Sequence, residues 1–154
     1  ALLVLAGSGD IEKELYHLVT ALRLEERVKF AGRLPVEELG WLTRQASLGI
    51  SIEEDLGLNY RYALPNKLFD YIQARVPVVV SNLPEMKRVV EHFRVGLVSG
   101  SHEPAQLAGI FREALFNESR RVEWQKNLEI AAAELTWEKE KEIVCELFGP
   151  LLEK

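Results

Sequence analysis

The sequence is poor in the residues that build disulfide scaffolds and metal clusters. It contains one cysteine, Cys145, and three histidines, His17, His92 and His102, which lie far apart along the chain. One cysteine excludes an internal disulfide and a thiol metal cluster, and no two histidines have the spacing of a ligand pair. We therefore expect no bound metal, solvated or capping histidines, and a reducing compartment such as the cytoplasm.

Basic charge and long apolar runs are also scarce. The chain has 19 Lys and Arg against 24 Asp and Glu, a formal net charge of -5. A general nucleic-acid binder needs a basic face, so nucleic acid is not an expected partner. No apolar run approaches the roughly 20 residues that cross a bilayer. The opening "ALLVLAGSGD" has neither an initiator methionine nor a basic segment, so we interpret it as a strand within a longer protein and not as a signal peptide.

Apolar runs of strand length alternate with segments of helical period. The predicted strands are "LLVLA" (2–6), "RVKFAG" (27–32), "LGISI" (48–52), "VPVVVS" (76–81) and "VGLVS" (95–99). Buried strands that are each followed by a helix predict an α/β fold, with a parallel sheet covered by helices on both faces. We expect Asp10 to cap the first helix, and Asn82 with Glu85 to form a capping box for a later one.

The pattern is purely helical after residue 103, and it contains no internal repeat. Thr136 is expected to cap a last helix, 136–150, which ends at "GP". With no strand left to cover, this helix is expected to pack back on the domain or on a part of the protein outside this chain. The composition is that of one domain over residues 1–154.

Parallel α/β sheets bind ligands at the carboxyl ends of their strands. The loops expected at that edge are "GSGD" (7–10), "GRLP" (32–35), "EEDLGLNYRYALPNK" (53–67) and "SNLPE" (81–85). Glycine in the first two loops allows a ligand to approach the backbone closely, and Ser8 in the first loop is a candidate contact residue. The acidic start of the third loop, "EED" (53–55), is interpreted as solvated. These loops define the predicted binding cleft.

The third loop ends in "PNKLFDYIQARVPVV" (65–79), which starts a helix and runs into a strand. The free N–H groups and the dipole at a helix start favour an anion, and Lys67 adds a positive charge there. Asp70 lies one turn further on, where its two oxygens can accept hydrogen bonds from the two hydroxyls of a ribose. A phosphate site followed by a ribose site predicts the binding of a nucleoside diphosphate.

Two structural explanations compete with this prediction. The helix dipole alone favours an acid in the first turns, by roughly 0.3–1 kcal/mol. Lys67 and Asp70 are also spaced i, i+3, so the two side chains can pair on a solvated surface. Spacing by itself does not choose between these explanations and the ligand site.

The stretch "LPNKLFDYIQARVPVVVSNLPEMKRVVEHFRVGLV" (64–98) resembles the nucleotide-sugar-binding half of GT-B glycosyltransferases of the family-4-like "glycosyl transferases group 1". Other segments agree in order: "LLVLAGSGD", "LEERVKFAGRLPVEELGWLTRQASLGIS" and "TWEKE". The resemblance therefore covers nearly the full chain. It implies a Rossmann-like three-layer sandwich with a parallel sheet, the C-terminal half of a GT-B fold.

The resemblance also implies roles for particular residues. The family usually carries two glutamates separated by seven residues, and these positions correspond here to Tyr62 and Asp70. Asp70 would hold the ribose, whereas Tyr62 cannot replace a carboxylate at the donor sugar, so Asn66 and Lys67 would share the sugar and phosphate contacts. The resemblance further implies that Ala63, Leu64 and Pro65 face the diphosphate. The backbone of Arg33 and Leu34 would border the base, and the loop with Gly7 and Ser8 would line the cleft. Arg75 stands where the family has a glycine.

The implied function is sugar transfer from a nucleoside-diphosphate sugar to an unknown acceptor, with this chain as the donor-binding half of the enzyme. The resemblance implies no cofactor and no metal, usual retention of anomeric configuration, and a further strand and helix plus an N-terminal acceptor domain before this chain. Catalytic residues are expected partly in that acceptor domain, which can also supply contact with the inner face of a membrane. By itself the chain is expected to be inactive.

Two other functions remain open. Loss of the first acid at Tyr62 is compatible with a non-catalytic nucleotide-binding module of the same fold. An NAD(P)-binding domain also begins with a strand, "GxG" and a helix, but Glu12 occupies the place of the third glycine. In this chain the second predicted strand ends in Gly32 and Arg33, without the acid that would bind the ribose of NAD. An arginine at that place does suit the 2′-phosphate of NADP.

Overall fold

The structure, a computed structural model, describes residues 1–152, and for residues 150–152 it describes the backbone alone. It divides into two compact units, residues 1–42 and the residues from 43 onward. Among the described residues, no helix combines the length and the apolar character that crossing a membrane requires.

The first unit contains a parallel pair of strands and their connecting helix. Its elements are β1 (Leu3–Ala6), α1 (Glu12–Ala21), β2 (Val28–Gly32) and α2 (Val36–Gln45), the last of which runs past the unit boundary. β1 pairs with β2 in parallel, and the register shifts between Leu5 and Ala6. The ring of Tyr16 on α1 stacks on that of Phe30 on β2, with centroids 4.0 Å apart. This stacking joins helix and strand.

Two predictions for the first unit are wrong. β1 is not buried, because Leu3 and Val4 remain 41% and 39% exposed. In its unit β1 pairs with a single strand, β2. Asp10 does not cap α1 either. The N-cap is Ile11, without a side-chain hydrogen bond. The Glu12 N–H bonds to the Gly9 carbonyl instead, so a backbone turn replaces the expected carboxylate.

The second unit holds a three-stranded parallel sheet in the order β3-β4-β5. Its elements are β3 (Gly49–Ser51), α3 (Leu58–Arg61), α4 (Asn66–Gln73), β4 (Val78–Ser81), α5 (Pro84–Phe93), β5 (Gly96–Ser99), α6 (Pro104–Phe116), α7 (Glu118–Glu134) and α8 (Trp137–Leu152). The predicted α/β class with parallel strands is confirmed. The strands pair as two sheets, β1-β2 and β3-β4-β5, where one sheet was expected. Apolar periodicity identifies strands but does not encode which strands pair.

Helices cover both faces of β4, as the sequence predicts. Val78 and Val80 point to one cluster, and Val79 points to the other. Leu68 and Ile72 of α4 pack in the first cluster, with residues of α5 and α7. Ala114 of α6 and Trp124 of α7 fill the second. All of β4 is buried, and this accounts for its continuous run of valines.

The helix ends match the predictions in part. Thr136 caps α8, since its Oγ1 accepts from the Lys139 N–H at 3.4 Å. The capping box at Asn82 is wrong: α5 begins at Pro84 after Leu83, because a proline suits the first helical position. The predicted stop at "GP" is wrong, because α8 continues through residues 149 and 150 to Leu152, the last residue that the structure describes. Trp137 and Leu147 are 67% and 66% exposed, so packing of 136–150 against another element stays a prediction.

Substitution of Gly96 tests how closely β4 and β5 pair. It is the register partner of Val78, and a Cβ at Gly96 would overlap the Val78 backbone carbonyl. Backbone atoms cannot rotate away, so Gly96→Ala should lower the free energy of unfolding by about 1–3 kcal/mol. Urea denaturation measures this change.

Gly109→Ala is the matched control for that experiment. A Cβ at Gly109, on the exposed side of α6, meets no atom within 4 Å. Since alanine is favoured over glycine inside a helix, this variant should be more stable by about 0.5–1 kcal/mol. Unchanged stability of Gly96→Ala would contradict the tight β4–β5 contact.

Candidate functional site

A buried serine ends each strand of the second unit. Ser51, Ser81 and Ser99 are the last residues of β3, β4 and β5, and each is at most 1% exposed. Because the strands are parallel, their carboxyl ends meet at one edge of the sheet. The Ser51 hydroxyl donates to the Glu53 carboxylate at 3.0 Å, and the Ser81 hydroxyl accepts from the Glu53 N–H at 2.6 Å. This polar edge is the expected place for a ligand.

Glu53 connects this edge to the start of α4. Its Oε1 lies 2.6 Å from the Lys67 ammonium, and its side chain is only 22% exposed. The other carboxylate oxygen, Oε2, is buried without a hydrogen-bond partner in the described part of the chain. The prediction of a solvated "EED" loop is therefore wrong for Glu53. The order of acids in the loop does not reveal which one turns inward.

α4 begins at Asn66, with Pro65 as its N-cap in an extended conformation and no side-chain cap. The first N–H groups of a helix have no partner within the helix, so the amides here can receive an anion. Lys67 lies at this helix start, and its side chain is 47% exposed. The structure thus brings together the amide donors and the ammonium that the sequence predicts for a phosphate.

Asp70 lies on the exposed side of α4, opposite the buried Leu68 and Ile72. Among the described residues, its carboxylate has no hydrogen bond or ion pair with another side chain. Lys67 pairs with Glu53, which removes the proposed Lys67–Asp70 surface pair as an explanation. Asp70 is accordingly accessible to a ligand at this end of the unit.

The loop between β3 and α4 is closed by an ion pair. Both Nε and Nη2 of Arg61 donate to one oxygen of Asp55, at 2.9 and 2.7 Å. These hydrogen bonds, with the charge of Asp55, raise the pKa of Arg61 above its ordinary value, so it stays cationic. The predicted contact residues that follow differ in exposure: Tyr62 and Leu64 are 58% and 37% exposed. Ala63 and Pro65 are half-buried.

His102 is a site residue that the sequence prediction missed. It follows β5, and its Nε2 lies 3.1 Å from the Glu53 carbonyl and 3.4 Å from the Ser81 hydroxyl. His102 is exposed, in agreement with the expected solvated histidine, but these two contacts were not predicted. Its position after a predicted strand was the available signal. Within residues 1–152, no three acidic, histidine or cysteine side chains are grouped to bind a metal.

The other predicted residues lie in the first unit, where β1 and β2 end. Gly7 and Gly32 have φ values of 131° and 65°, which favour glycine, and the Gly7 N–H donates to the Gly32 carbonyl at 2.7 Å. Arg33 Nε donates to the Ser8 hydroxyl at 2.6 Å, and Leu34 is half-buried next to it. The structure therefore brings Ser8 and Arg33 together within their unit.

The carboxyl end of α4 is held by Gln73. Its side-chain amide donates to the carbonyls of Ala132 and Leu135 at the end of α7, at 3.0 and 2.8 Å. Arg75 then takes a left-handed conformation, with φ of 61°, at the position where the family resemblance expects glycine. Arg75 Nε also lies 3.2 Å from the Glu129 carboxylate of α7. These contacts set the orientation of α4 in its unit.

Parallel strands with polar groups at their carboxyl ends place this chain among the α/β proteins that bind ligands at that edge of the sheet. Sequence comparison identifies the family. The model of the family "Glycosyl transferases group 1" matches residues 1–130, so the chain belongs to that family. The resemblance drawn from the motifs is confirmed. No significant match was found among curated proteins.

Solved structures give the same fold. HepE from Anabaena in complex with UDP-glucose superimposes with a TM-score of 0.80 and 20% identity over 97% of this chain. Sucrose-phosphate synthase from Thermosynechococcus elongatus gives 0.79 and 19% over 97%. WaaG, a glycosyltransferase involved in lipopolysaccharide biosynthesis, gives 0.68 and 19% over 86%. The chain spans 41%, 38% and 34% of the lengths of these three proteins, respectively.

Gln73→Ala tests how α4 is anchored. The substitution removes the donor to the Ala132 and Leu135 carbonyls, which water can partly replace, so we expect the free energy of unfolding to fall by about 0.5–1.5 kcal/mol. Urea denaturation measures the loss. Gln125→Ala, at an exposed position on α7, should change stability by less than about 0.5 kcal/mol. Equal effects of both variants would show that the Gln73 bonds do not hold the helix.

Proposed function

We propose that this chain is the donor-binding half of a glycosyltransferase that takes a sugar from a nucleoside-diphosphate sugar. Membership of the glycosyl transferases group 1 family supports the reaction class. HepE, which has the same fold, was solved with UDP and with UDP-glucose. The observation that carries the proposal is the start of α4, where an uncapped helix end and Lys67 lie one turn before an exposed Asp70.

The diphosphate would bind at the first turn of α4. Its charge is attracted by the amides of Asn66 and Lys67, by the helix dipole and by the Lys67 ammonium. Ala63, Leu64 and Pro65 precede this turn, and their backbone would border the phosphates. Amide donors that are already oriented lose little entropy on binding, so the fold itself supplies part of the affinity.

Asp70 would bind the ribose. A carboxylate accepts hydrogen bonds from two neighbouring hydroxyls, and such charge-assisted bonds are stronger than neutral ones. The Asp70 side chain is exposed and meets no competing donor in the described chain. In the first unit, the backbone of Arg33 and Leu34 would border the base, with Gly7 and Ser8 in the adjacent loop.

The proposed reaction needs no cofactor and no metal. Negative charge that develops on the leaving diphosphate would be neutralised by the helix dipole and by Lys67. Retention of anomeric configuration is the outcome that the family resemblance favours. The acceptor site and the remaining catalytic residues would come from an N-terminal acceptor domain of the same protein. That domain would also provide any contact with the inner face of a membrane, in the cytoplasm.

A non-catalytic nucleotide-binding module is the second candidate. Tyr62 favours it, because a phenol stands where the family usually places the carboxylate that contacts the donor sugar. The two candidates differ in the full-length protein: the module binds the nucleotide without transferring sugar, whereas the enzyme consumes the donor.

Titration with UDP, GDP and ADP tests the proposed site. We expect binding of at least one of them, and Asp70→Asn should weaken it by about 10–100-fold, the loss of charge-assisted bonds worth about 1.4–2.8 kcal/mol. Isothermal calorimetry gives the affinities, and far-UV circular dichroism checks that the variant folds.

The 2′-deoxy form of the tightest-binding nucleotide is the matched control ligand. It lacks one of the hydroxyls assigned to Asp70, so the unmodified chain should prefer the ribonucleotide. In Asp70→Asn, which keeps one neutral oxygen acceptor, this preference should fall. An undiminished preference in the variant would assign the ribose to another residue.

A further inference from the structure

Glu53 contacts residues from several different elements of the second unit. Its carboxylate contacts Ser51 at the end of β3 and Lys67 at the start of α4. Its backbone N–H donates to Ser81 at the end of β4, and its carbonyl lies 3.1 Å from the imidazole of His102 after β5. One residue therefore connects all three strand ends of the sheet to the helix that carries the proposed phosphate site.

The contact with Lys67 differs from an ordinary surface ion pair. The Glu53 side chain is mostly buried, and its backbone is bound on both its N–H and its carbonyl side. It therefore cannot follow a mobile lysine into solvent, so the lysine is the partner that becomes ordered. An ammonium has three N–H donors, and the pair with Glu53 leaves the others for a further acceptor.

We propose that Glu53 is a positioning residue: it holds the Lys67 ammonium at the start of α4, so that the phosphate site is formed before the nucleotide arrives. This inference rests on the proposed function, and it adds a residue outside the motif that carries the family resemblance. Lys67 would contact the diphosphate, and Glu53 would act only through Lys67.

A carboxylate close to a phosphate site also repels the ligand, and magnitudes decide between the two effects. At a separation of about 7 Å in a solvent-like dielectric, repulsion lowers affinity by about threefold for each negative charge of the ligand. Ordering a free lysine side chain on binding lowers it by about tenfold or more. Ordering of Lys67 therefore exceeds the repulsion from one ligand charge, and the affinity of Glu53→Ala measures the balance for the whole ligand.

The buried Oε2 of Glu53 supports a positioning role. A carboxylate oxygen without a partner in the described chain is unfavourable for folding alone. The contacts of Oε1 and of the backbone keep it in place. Held in this way, Glu53 fits the requirement that a residue supporting a binding group is itself locked in place.

Calorimetric titration of the chain with UDP at low salt tests the inference. We expect Glu53→Ala to bind UDP about tenfold more weakly than the unmodified chain. Glu53→Gln, which keeps an oxygen acceptor for Lys67 and Ser51, should lose less. Glu54→Ala is the matched control, because it removes a neighbouring exposed acid; its affinity should be unchanged or up to about threefold tighter.

A double-mutant cycle with Lys67→Met separates positioning from a general structural effect. If Glu53 acts through Lys67, adding Glu53→Ala to Lys67→Met should not weaken UDP binding further. A second readout needs no ligand: the side-chain NH₃⁺ resonance of Lys67 in NMR spectra should be visible in the unmodified chain. It should weaken or disappear in Glu53→Ala and persist in Glu53→Gln.

The outcomes distinguish this inference from the proposed function. If the unmodified chain binds none of UDP, GDP and ADP, the proposed function is wrong. If it binds UDP, and Glu53→Ala binds it equally or more tightly, the function stands and the positioning role is overturned. Should Glu53→Ala fail to fold, Glu53→Gln decides: an unchanged affinity together with loss of the Lys67 resonance also overturns it.

Discussion

Parallel pairing of β4 between β3 and β5 is the constraint on which the candidate site depends. β4 is buried on both faces, so its register is held by valines that pack into a different cluster on each side. Since all three strands run in one direction, their terminal serines are brought to the same edge. Residues that are distant in sequence, such as Glu53 and His102, become neighbours there for this reason alone.

The second element of the site is the placement of α4. Two of its residues, Leu68 and Ile72, are fully buried, and Gln73 bonds its carboxyl end to α7. Burial of one face turns the opposite face, with Asp70, to the outside. At the amino end the absence of a side-chain cap leaves amide donors unsatisfied, which is unfavourable for an isolated helix but useful for binding an anion. The same features that would weaken a helix thus suit a phosphate site.

Family membership and the local geometry support each other at different levels. The family model covers residues 1–130 and establishes the family, whereas solved structures at 19–20% identity establish the fold. Neither names the donor-binding side chains of this particular chain. Tyr62 departs from the acid expected at its position, and Glu53 lies outside the recognised motif. The ion pair between Glu53 and Lys67 is therefore a feature of this chain that its own contacts show and the family comparison does not.

The sequence by itself determined the α/β class, the valine strand at residues 76–81, the helix with Lys67 and Asp70, and the family. These properties follow from local periodicity, helix-end chemistry and motif order, which depend on neighbouring residues. Tertiary structure alone decided that the strands pair as two sheets, that β1 stays exposed, and that Lys67 pairs with Glu53 and not with Asp70. Strand pairing and the burial of one acid among three depend on long-range packing. Nothing in the local sequence around Glu53 indicates that its carboxylate pairs with Lys67, 14 residues later.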